Sequence, residues 1–595
     1  MCGIAGIYKN DSHRSILREQ IEQMLSVTRH RGPDDQGVYI NDYCSLGMNR
    51  LSIIDLKTGS QPIGSPDGRY QLVCNGEIYN FPQLRDKMQR EGYVFKTKTD
   101  VEVILPLFIY YGVEGFQQLD GMFAFAIIDT QTQTLYLCRD RYGIKPLYYL
   151  KDDSGDLFFA SEIKSIHKVV DDRELDLPVF MDFIITGYSE TGRSVWKNIM
   201  TLKPGNCYIK NKEQHESLKC IFDEPAEDYS DREKAKKDLR EAVIHDIEAQ
   251  LISDVPLGVF LSGGVDSSII LGVANKILEK KYPAFSIDFS DSTYSESDKF
   301  RNIAKKFHAE HYIYKVNEDL LDYVDEVLTA CDEPFGDMAA LPTYLLSRHT
   351  AEKVKVALSG DGSDEYMFGY VHNSYQNSKR DVFESKHLHK LSKLLPVIHP
   401  KQYSLISRTK NRGAGKPQNL YRMLSNKLFK QYMENCPDES HGSSTEHDRH
   451  AYLPNDILYK TDRMSMFCSL ETRVPFLGNK TVSVAKRIPK EFQVNRTRQK
   501  TLLTEAFSDI LPEDIRDQKK HGFTVPAGEW FKSRYTARSF VKTINESSFA
   551  TLYNARMLEK IIKEHFYNRF NHGRFLYRIY IASNWAEKYN PVIKV

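Results

Sequence analysis

Net charge is nearly absent from this chain: 81 basic side chains stand against 80 acidic ones in 595 residues, a formal charge of +1. So even a balance excludes the broad basic face of a general nucleic-acid or anionic-membrane surface. Cysteine is scarce. Nine residues, an odd number, cannot build a disulfide scaffold at this length and fit reduced thiols in a cytoplasmic setting. Long apolar runs are missing too. Met122-Phe123-Ala124-Phe125-Ala126-Ile127-Ile128 is among the longest and falls far short of a membrane span. The N-terminus has no basic segment followed by an apolar one, so no signal peptide is expected. No internal repeat is visible. What is present is an ordinary globular composition, 41% hydrophobic and 27% charged. The length predicts about two to four domains.

The first half reads as short strands with turns: Ile4 to Tyr8, Tyr70 to Cys74, Ala124 to Asp129, Thr134 to Arg139 and Leu147 to Tyr149. Helical patterns over Ser15 to Val27 and Val101 to Tyr111 predict sheets with helices packed on them. Leu202-Lys203-Pro204-Gly205 and the polar run Asn211 to Asp231 mark a boundary, which divides the chain into 1–210, a linker 211–230, and 231–595. Beyond it, Asp231 can cap a helix carrying Leu239, Val243, Ile247 and Leu251. Strands Gly258 to Leu261, Ala284 to Phe289 and Val354 to Leu358 then alternate with helices, the pattern of a doubly wound parallel sheet. The remainder is mainly helical, with polar loops expected at Lys401 to Gln418 and Pro437 to Asp448.

Cys2 directly follows the initiator Met1. Removal of Met1 leaves a thiol and a free α-amine on one residue. With an intrinsic pKa of about 7.7–8.0, that amine is partly unprotonated at neutral pH and can take the thiol proton. Four further segments follow: His30-Arg31-Gly32-Pro33-Asp34; Arg50 before Leu51-Ser52-Ile53-Ile54; Asn75-Gly76-Glu77-Ile78-Tyr79-Asn80; and Thr99-Asp100-Val101-Glu102. Singly, Asn75-Gly76 is more often a hairpin turn and Arg50 or Asp100 more often a surface charge, and Arg31 with Asp34 reads also as a structural ion pair.

In this order behind Cys2, the set resembles the class II glutamine amidotransferase domain. The resemblance implies an α+β N-terminal-nucleophile fold, αββα in layers. It further implies that Cys2 attacks the side-chain amide of glutamine, forming a γ-glutamyl thioester and releasing ammonia. The Asn75 side chain and the Gly76 N–H would be the oxyanion donors. Arg50 would hold the glutamine α-carboxylate, and Asp100 its ammonium, with the Gly76–Glu77 backbone.

The second half carries Leu261-Ser262-Gly263-Gly264-Val265-Asp266-Ser267-Ser268 between a predicted strand and helix. Small residues and a helix N-terminus can close N–H groups around an anion. No Gly-Lys-Ser/Thr follows, so this is not a Walker A loop. Ser359-Gly360-Asp361-Gly362-Ser363-Asp364-Glu365 follows a second strand. Further motifs are Phe285-Ser286-Ile287, Asp462-Arg463-Met464-Ser465-Met466, Glu471-Thr472-Arg473-Val474-Pro475-Phe476-Leu477, Arg498-Gln499-Lys500 and Lys519-Lys520-His521-Gly522-Phe523.

These motifs resemble the ATP-pyrophosphatase domain of glutamine-hydrolysing asparagine synthetases, and with the first half the resemblance covers nearly the whole chain. It implies an α/β doubly wound domain with a helical C-terminal part. A carboxylate, aspartate first, would attack the α-phosphorus of ATP, and ammonia would then displace AMP from the acyl-adenylate. Leu261 to Gly264, Asp266 to Ser268, Ile287, Ser359 and Gly360 would bind ATP. Asp266 and Asp364 would hold Mg²⁺. Lys500 would stabilise charge, with Asp361 nearby.

Two departures stand out. Asp361 replaces a common Glu. Tyr366-Met367-Phe368-Gly369-Tyr370 has one glycine fewer than the usual apolar–Phe–Gly–Gly–Tyr, close to the acceptor. Another carboxylate, such as a sugar acid of a surface polysaccharide or a peptide acid, therefore stays open as acceptor, as does an inactive scaffold or regulatory homologue. The substrates expected are small molecules, with neither nucleic acid nor membrane as partner. The resemblance adds a homodimer and an internal ammonia passage from Cys2 toward Ser262.

Overall fold

The computed structural model describes residues 2–9, 14–213, 215–222, 227–289, 297–316, 319–370, 444–495, 498–516, 534–567, 569 and 571–593. Twelve strands build the first half: β1 (Gly3–Tyr8), β2 (Asp35–Ile40), β3 (Cys44–Arg50), β4 (Ile63–Gly64), β5 (Tyr70–Ile78), β6 (Gly121–Asp129), β7 (Thr134–Arg139), β8 (Tyr148–Lys151), β9 (Leu157–Ala160), β10 (Ile199–Thr201), β11 (Asn206–Lys210) and β12 (Glu216–Cys220). They form two six-stranded sheets, β10-β8-β9-β1-β3-β2 and β12-β11-β7-β6-β5-β4.

The apolar run 122–128 has a physical explanation in this stacking. Successive side chains of a strand face opposite sides. Ala124, Ala126 and Ile128 join Ile4, Tyr8, Leu46 and Met48 between the sheets. Phe123, Phe125 and Ile127 face outward onto Leu84, Met88, Ile104 and Phe108 of two helices, Phe81–Arg90 and Ile104–Tyr111. On the other flank Ala5 and Ile7 meet Leu17, Ile21, Met24 and Leu25 of helix Arg14–Ser26. Both faces of each central strand are buried, which gives the αββα layers and explains why β6 reads as a continuous apolar stretch.

The polar run 211–230 contains β12, which pairs with β11 from Asn206↔Cys220 to Lys210↔Glu216. All of its residues are exposed, so it carries no apolar alternation. The helix Arg232–Gln250 follows, and Asp231 caps it as expected, its carboxylate accepting from the N–H groups of Glu233 and Lys234 at 2.9 and 3.2 Å.

The second half is built on β13 (Leu257–Phe260), β14 (Ala284–Phe289), β15 (His311–Val316), β16 (Val356–Leu358) and β17 (Glu471–Arg473), in the order β15-β14-β13-β16-β17 with every pairing parallel. The strand order reverses between β13 and β16. In an open parallel sheet a crevice forms there, beyond the carboxyl ends of the strands. Helices Leu458–Phe467, Asn479–Lys486, Arg534–Glu546, Ala555–Phe566 and Gly573–Tyr589 supply the helical C-terminal part. The last returns to the first half, where the Trp585 and Trp196 rings lie 5.1 Å apart. The motif 519–523 and the polar run 401–418 lie outside the described residues; the run 437–448 ends in the helix Ser444–His447.

Candidate active site

Cys2 lies just before β1, only 6% exposed. Burial pushes its thiol up to about 11, against the opposing Leu51 N–H and Arg50 charge. The resting group is therefore a thiol that needs a base at hand. The Cys2 N–H donates to Asn75 Oδ1 at 3.1 Å. That bond orients the Asn75 amide and leaves its Nδ2, also buried, with no hydrogen-bond partner among the described residues. A buried unsatisfied donor beside a thiol is what an oxyanion site requires before substrate arrives.

Asn75, Gly76 and Glu77 lie on β5, opposite β6 with Gly76 facing Phe123. Antiparallel alternation directs the Gly76 N–H away from β6, to the edge where the Cys74 and Ile78 N–H groups donate to Gln61 Oε1 and Asp100 Oδ2, both at 2.7 Å. A Cβ at Gly76 would stand 2.2 Å from the Met122 carbonyl oxygen, so only glycine lets the two strands close here.

Arg50 ends β3 and is buried, its Nη2 donating to the carbonyls of Ile54 and Asp55 at 3.0 and 2.8 Å. Asp100 is buried, its Oδ1 accepting from Thr99 Oγ1 at 3.1 Å. Burial and the Asp100 charge raise the Glu77 carboxyl far above the usual range, with Arg473 opposing.

The second site lies at the strand-order reversal. The loop after β13 leads into helix Val265–Gly272, with Gly264 as its cap. Its hydroxyls tie it together: the Ser262 N–H donates to Ser267 Oγ at 3.2 Å, and Ser268 Oγ donates to the Gly264 carbonyl at 2.6 Å. Leu261 is buried and its carbonyl accepts from Ser286 Oγ at 2.6 Å. Ile287, at 6% exposure, packs with Val316 and Leu341 in the core. The loop after β16 presses against the first: a Cβ at Gly360 would lie 2.9 Å from the Asp266 Cβ.

Lys500 occupies the centre. Its ammonium donates to Asp266 Oδ1 and Oδ2 at 2.6 and 2.7 Å and to Ser363 Oγ at 3.0 Å, and pairs with Asp364 Oδ1 at 2.6 Å. Asp266 and Asp364, read from the sequence as metal ligands, therefore converge on one cation position that the lysine fills. Two hard oxygen donors at a single point fit Mg²⁺, which characteristically takes one or two protein carboxylates together with substrate phosphates. Asp361 turns elsewhere: its Oδ2 accepts from Ser359 Oγ at 2.9 Å and Thr461 Oγ1 at 2.7 Å.

Residues 238–587 match the asparagine synthase family and residues 1–220 the glutamine amidotransferase domain. Asparagine synthetase 1 (glutamine-hydrolyzing) of Bacillus subtilis (strain 168) is 30% identical, covering 98% of this chain and 96% of that protein. Asparagine synthetase B (glutamine-hydrolyzing) of Escherichia coli (strain K12) is 28% identical, covering 89% and 83%. The chain belongs to the asparagine synthase family. As a member it is a carbon–nitrogen ligase with a glutamine amidotransferase domain and ATP as a substrate. Among the described residues, no helix is long and apolar enough to cross a membrane.

In this asparagine synthase family member the two halves share one apolar core. Leu51, Met122, Tyr142 and Ile144 from the first pack in the same cluster as Leu261, Leu358, Tyr366 and Met367 from the second. The Tyr142 and Tyr366 rings meet edge to face at 6.0 Å.

Beside that core runs a buried charge network that corrects one expectation. Arg31 and Asp34 do not pair with each other. Arg31 is fully buried and reaches Asp462 with both terminal nitrogens, at 2.9 and 3.0 Å, and Glu162 at 2.9 Å. Asp34 pairs with Lys355 at 2.8 Å. A buried guanidinium needs carboxylates that complete its fork, and the turn 30–34 offers none in reach. Burial opposes the Glu162 charge, yet Lys164, His30 and Arg463 hold its carboxyl well below the usual range.

Ser363, Thr461 and the Arg473–Glu77 contact of 3.8 Å were also missed. Their signal is positional: Ser363 lies within Ser359–Glu365, Arg473 within Glu471–Leu477, and Thr461 directly precedes Asp462-Arg463.

Proposed function

We propose that this protein converts aspartate to asparagine, with glutamine as nitrogen donor and ATP cleaved to AMP and pyrophosphate. Once Met1 is removed, the Cys2 amine takes the thiol proton and the sulfur attacks the glutamine amide. The tetrahedral oxyanion is met by Asn75 Nδ2 and the Gly76 N–H, while Arg50 and Asp100 hold the α-carboxylate and α-ammonium; its collapse breaks the C–N bond, ammonia leaves with the proton held by the amine, and water then cleaves the γ-glutamyl thioester to glutamate and the free thiol. The observation that carries the glutaminase half is the buried, unpartnered Asn75 Nδ2 beside the thiol.

In the second site, the Ser262–Ser268 loop and the helix it opens hold the phosphates. Mg²⁺ held by Asp266 and Asp364 would take the place the Lys500 ammonium fills between them and supply charge neutralisation there, the ammonium turning toward the phosphates. The acceptor carboxylate attacks the α-phosphorus and pyrophosphate leaves. Ammonia then attacks the acyl carbonyl and AMP departs, with the Lys500 ammonium countering charge that builds on the phosphoryl or acyl oxygens. The apolar core joining Leu51, Met122 and Ile144 to Leu358 and Met367 suits the passage of neutral ammonia and disfavours its protonation.

The segment after the acidic loop is where this chain departs from the usual family sequence. Phe368 adopts a left-handed backbone (φ 54°) in the segment where relatives of this type carry an extra glycine, and its ring is covered by the Arg449 and Lys490 cations. The test is a panel of carboxylates with ATP, Mg²⁺ and ammonium, following AMP and pyrophosphate. Aspartate should give both products. AMP with a sugar acid but none with aspartate would overturn the acceptor assignment and keep the chemistry.

A further inference from the structure

Arg449 presents a guanidinium beside the second site without a carboxylate to match it. It lies in the first turn of the helical segment Asp448–Ile457 and is half-buried. Its Nε donates to the Glu365 carbonyl at 3.1 Å. The guanidinium covers two rings of the segment after the acidic loop, 4.9 Å from the centre of Tyr366 and 5.6 Å from that of Phe368. Arginine has five N–H donors, and most of them stay available here. Burial opposes the Arg449 charge, while Tyr366, Asp448, Glu446 and Glu365 favour it from nearby. Yet no carboxylate forms an ion pair with it among the described residues. Glu365 instead accepts from the Tyr370 hydroxyl, and Asp448 lies 3.9 Å from His447 Nδ1.

Other cations gather around it. Lys490 lies 5.8 Å from the centre of the Phe368 ring. Burial lowers the Lys486 ammonium from its ordinary value, and the Arg141 and Arg449 charges lower it further. Asp120 answers Arg141 in part. Like charges held together cost free energy that a bound anion relieves. The surroundings of Tyr366 and Phe368 therefore attract an anion.

The same segment touches the reacting centre. A Cβ on Gly369 would collide with the Asp364 carboxylate and with Lys500 Cε, so Phe368–Gly369 packs directly on the Lys500 site. Phe368 is itself buried, and its ring and that of Tyr366 make a floor that orients the guanidinium plane. A planar fork held this way suits a carboxylate, which it can meet with two parallel N–H···O bonds.

We infer that Arg449 binds a second carboxylate of the acceptor, other than the one that attacks ATP, so that the enzyme selects diacids. In aspartate this is the α-carboxylate, and the β-carboxylate is activated. A monocarboxylic acid leaves the guanidinium unmatched and is disfavoured. The inference rests on the ligase reading above and adds the residue that chooses the class of acceptor.

The experiment measures ammonium-driven AMP formation with ATP and Mg²⁺ on the full-length protein. The acceptor is L-aspartate, its α-amide, which keeps the β-carboxylate and the amine but loses the second charge, or a monocarboxylic sugar acid. Wild type should show a kcat/KM for aspartate about 10- to 100-fold above that for the α-amide, the range of one charge-assisted pair. Arg449→Met should raise the aspartate KM by a similar factor and shrink the preference to about threefold or less. Arg449→Lys, which keeps the charge without the fork, should fall between. The ATP KM should stay within about twofold in both variants. The wild-type preference needs no variant, so it stands as a test even if Arg449→Met folds poorly.

Equal use of aspartate and its α-amide by wild type, or an unchanged aspartate KM in Arg449→Met, would overturn the inference. A rise in the ATP KM alone would give the guanidinium to the phosphates and overturn it as well. So would AMP with the sugar acid and none with aspartate. No AMP from wild type with any acid would instead overturn the ligase reading, a separate readout.

Discussion

Lys500 Nζ stands 2.6 Å from Asp266 Oδ1, and the Asp364 carboxylate closes on it from the other side at 2.6 Å. The lysine thus sits between the two carboxylates read as metal ligands, with its backbone in the left-handed region (φ 51°) at the start of helix Thr501–Ala506. Lys500→Met should lower ammonium-driven AMP formation by about 10²–10³-fold, the usual effect of removing one electrostatic stabiliser. Glutamine hydrolysis without ATP should be unchanged. An AMP assay that shows a drop of less than about threefold would remove Lys500 from the chemistry.

Gly76 is predicted to separate the sites from the opposite direction. Its missing Cβ would fall 2.2 Å from the Met122 carbonyl oxygen, so Gly76→Ala must push β5 from β6. Glutaminase kcat/KM should fall about tenfold or more, because small displacements at the reacting centre are costly, while ammonium-driven synthesis persists. Unaltered glutaminase kinetics would contradict the placement of the oxyanion donors on this strand.

Arg31→Met tests the charge network. It leaves Asp462 and Glu162 buried without their shared guanidinium, a change that costs about 3–5 kcal/mol in comparable cases. Differential scanning should show a Tm well below wild type. A shift within a degree would mean the network is compensated by Lys145, Lys164 and Arg463.

Stability should also depend on pH through Glu365. Burial pushes its carboxyl up to about 7 from 4.5, against the Tyr370 hydroxyl and the Lys500 charge. The unfolded chain releases this proton near pH 4.5 and the folded one near 7. The folded state therefore binds more protons across that window, and stability falls as pH rises through it, by at most about 3 kcal/mol. Glu365→Gln mimics the protonated form. Thermal melts at pH 5 and 8 should show a smaller pH difference in the variant than in wild type; an equal difference would assign the effect elsewhere.

Local signals were legible in the sequence. Asp231 caps its helix, β7 spans Thr134–Arg139 and β14 spans Ala284–Phe289, because capping and apolar runs are set by neighbours along the chain. The candidate residues of each site do gather, Cys2 ahead of β1 with Asn75 on β5, and Asp266 in the helix after β13 with Lys500 at the start of helix Thr501–Ala506. What stayed hidden depends on partners far away in sequence. β2 and β12 lack clean alternation, since their pairing rather than their own pattern makes them strands. Arg31 was read against Asp34, three residues away, whereas its partner Asp462 lies in the other half.

The central claim is a division of labour: Cys2 supplies nitrogen, and the site around Lys500 makes the product. The most direct measurement compares AMP formation by Cys2→Ala, with ATP, Mg²⁺ and aspartate, supplied either with glutamine or with ammonium. The account predicts that the variant forms no AMP above background with glutamine and retains ammonium-driven synthesis within about twofold of wild type. Loss of both activities, or retention of glutamine use, would contradict it.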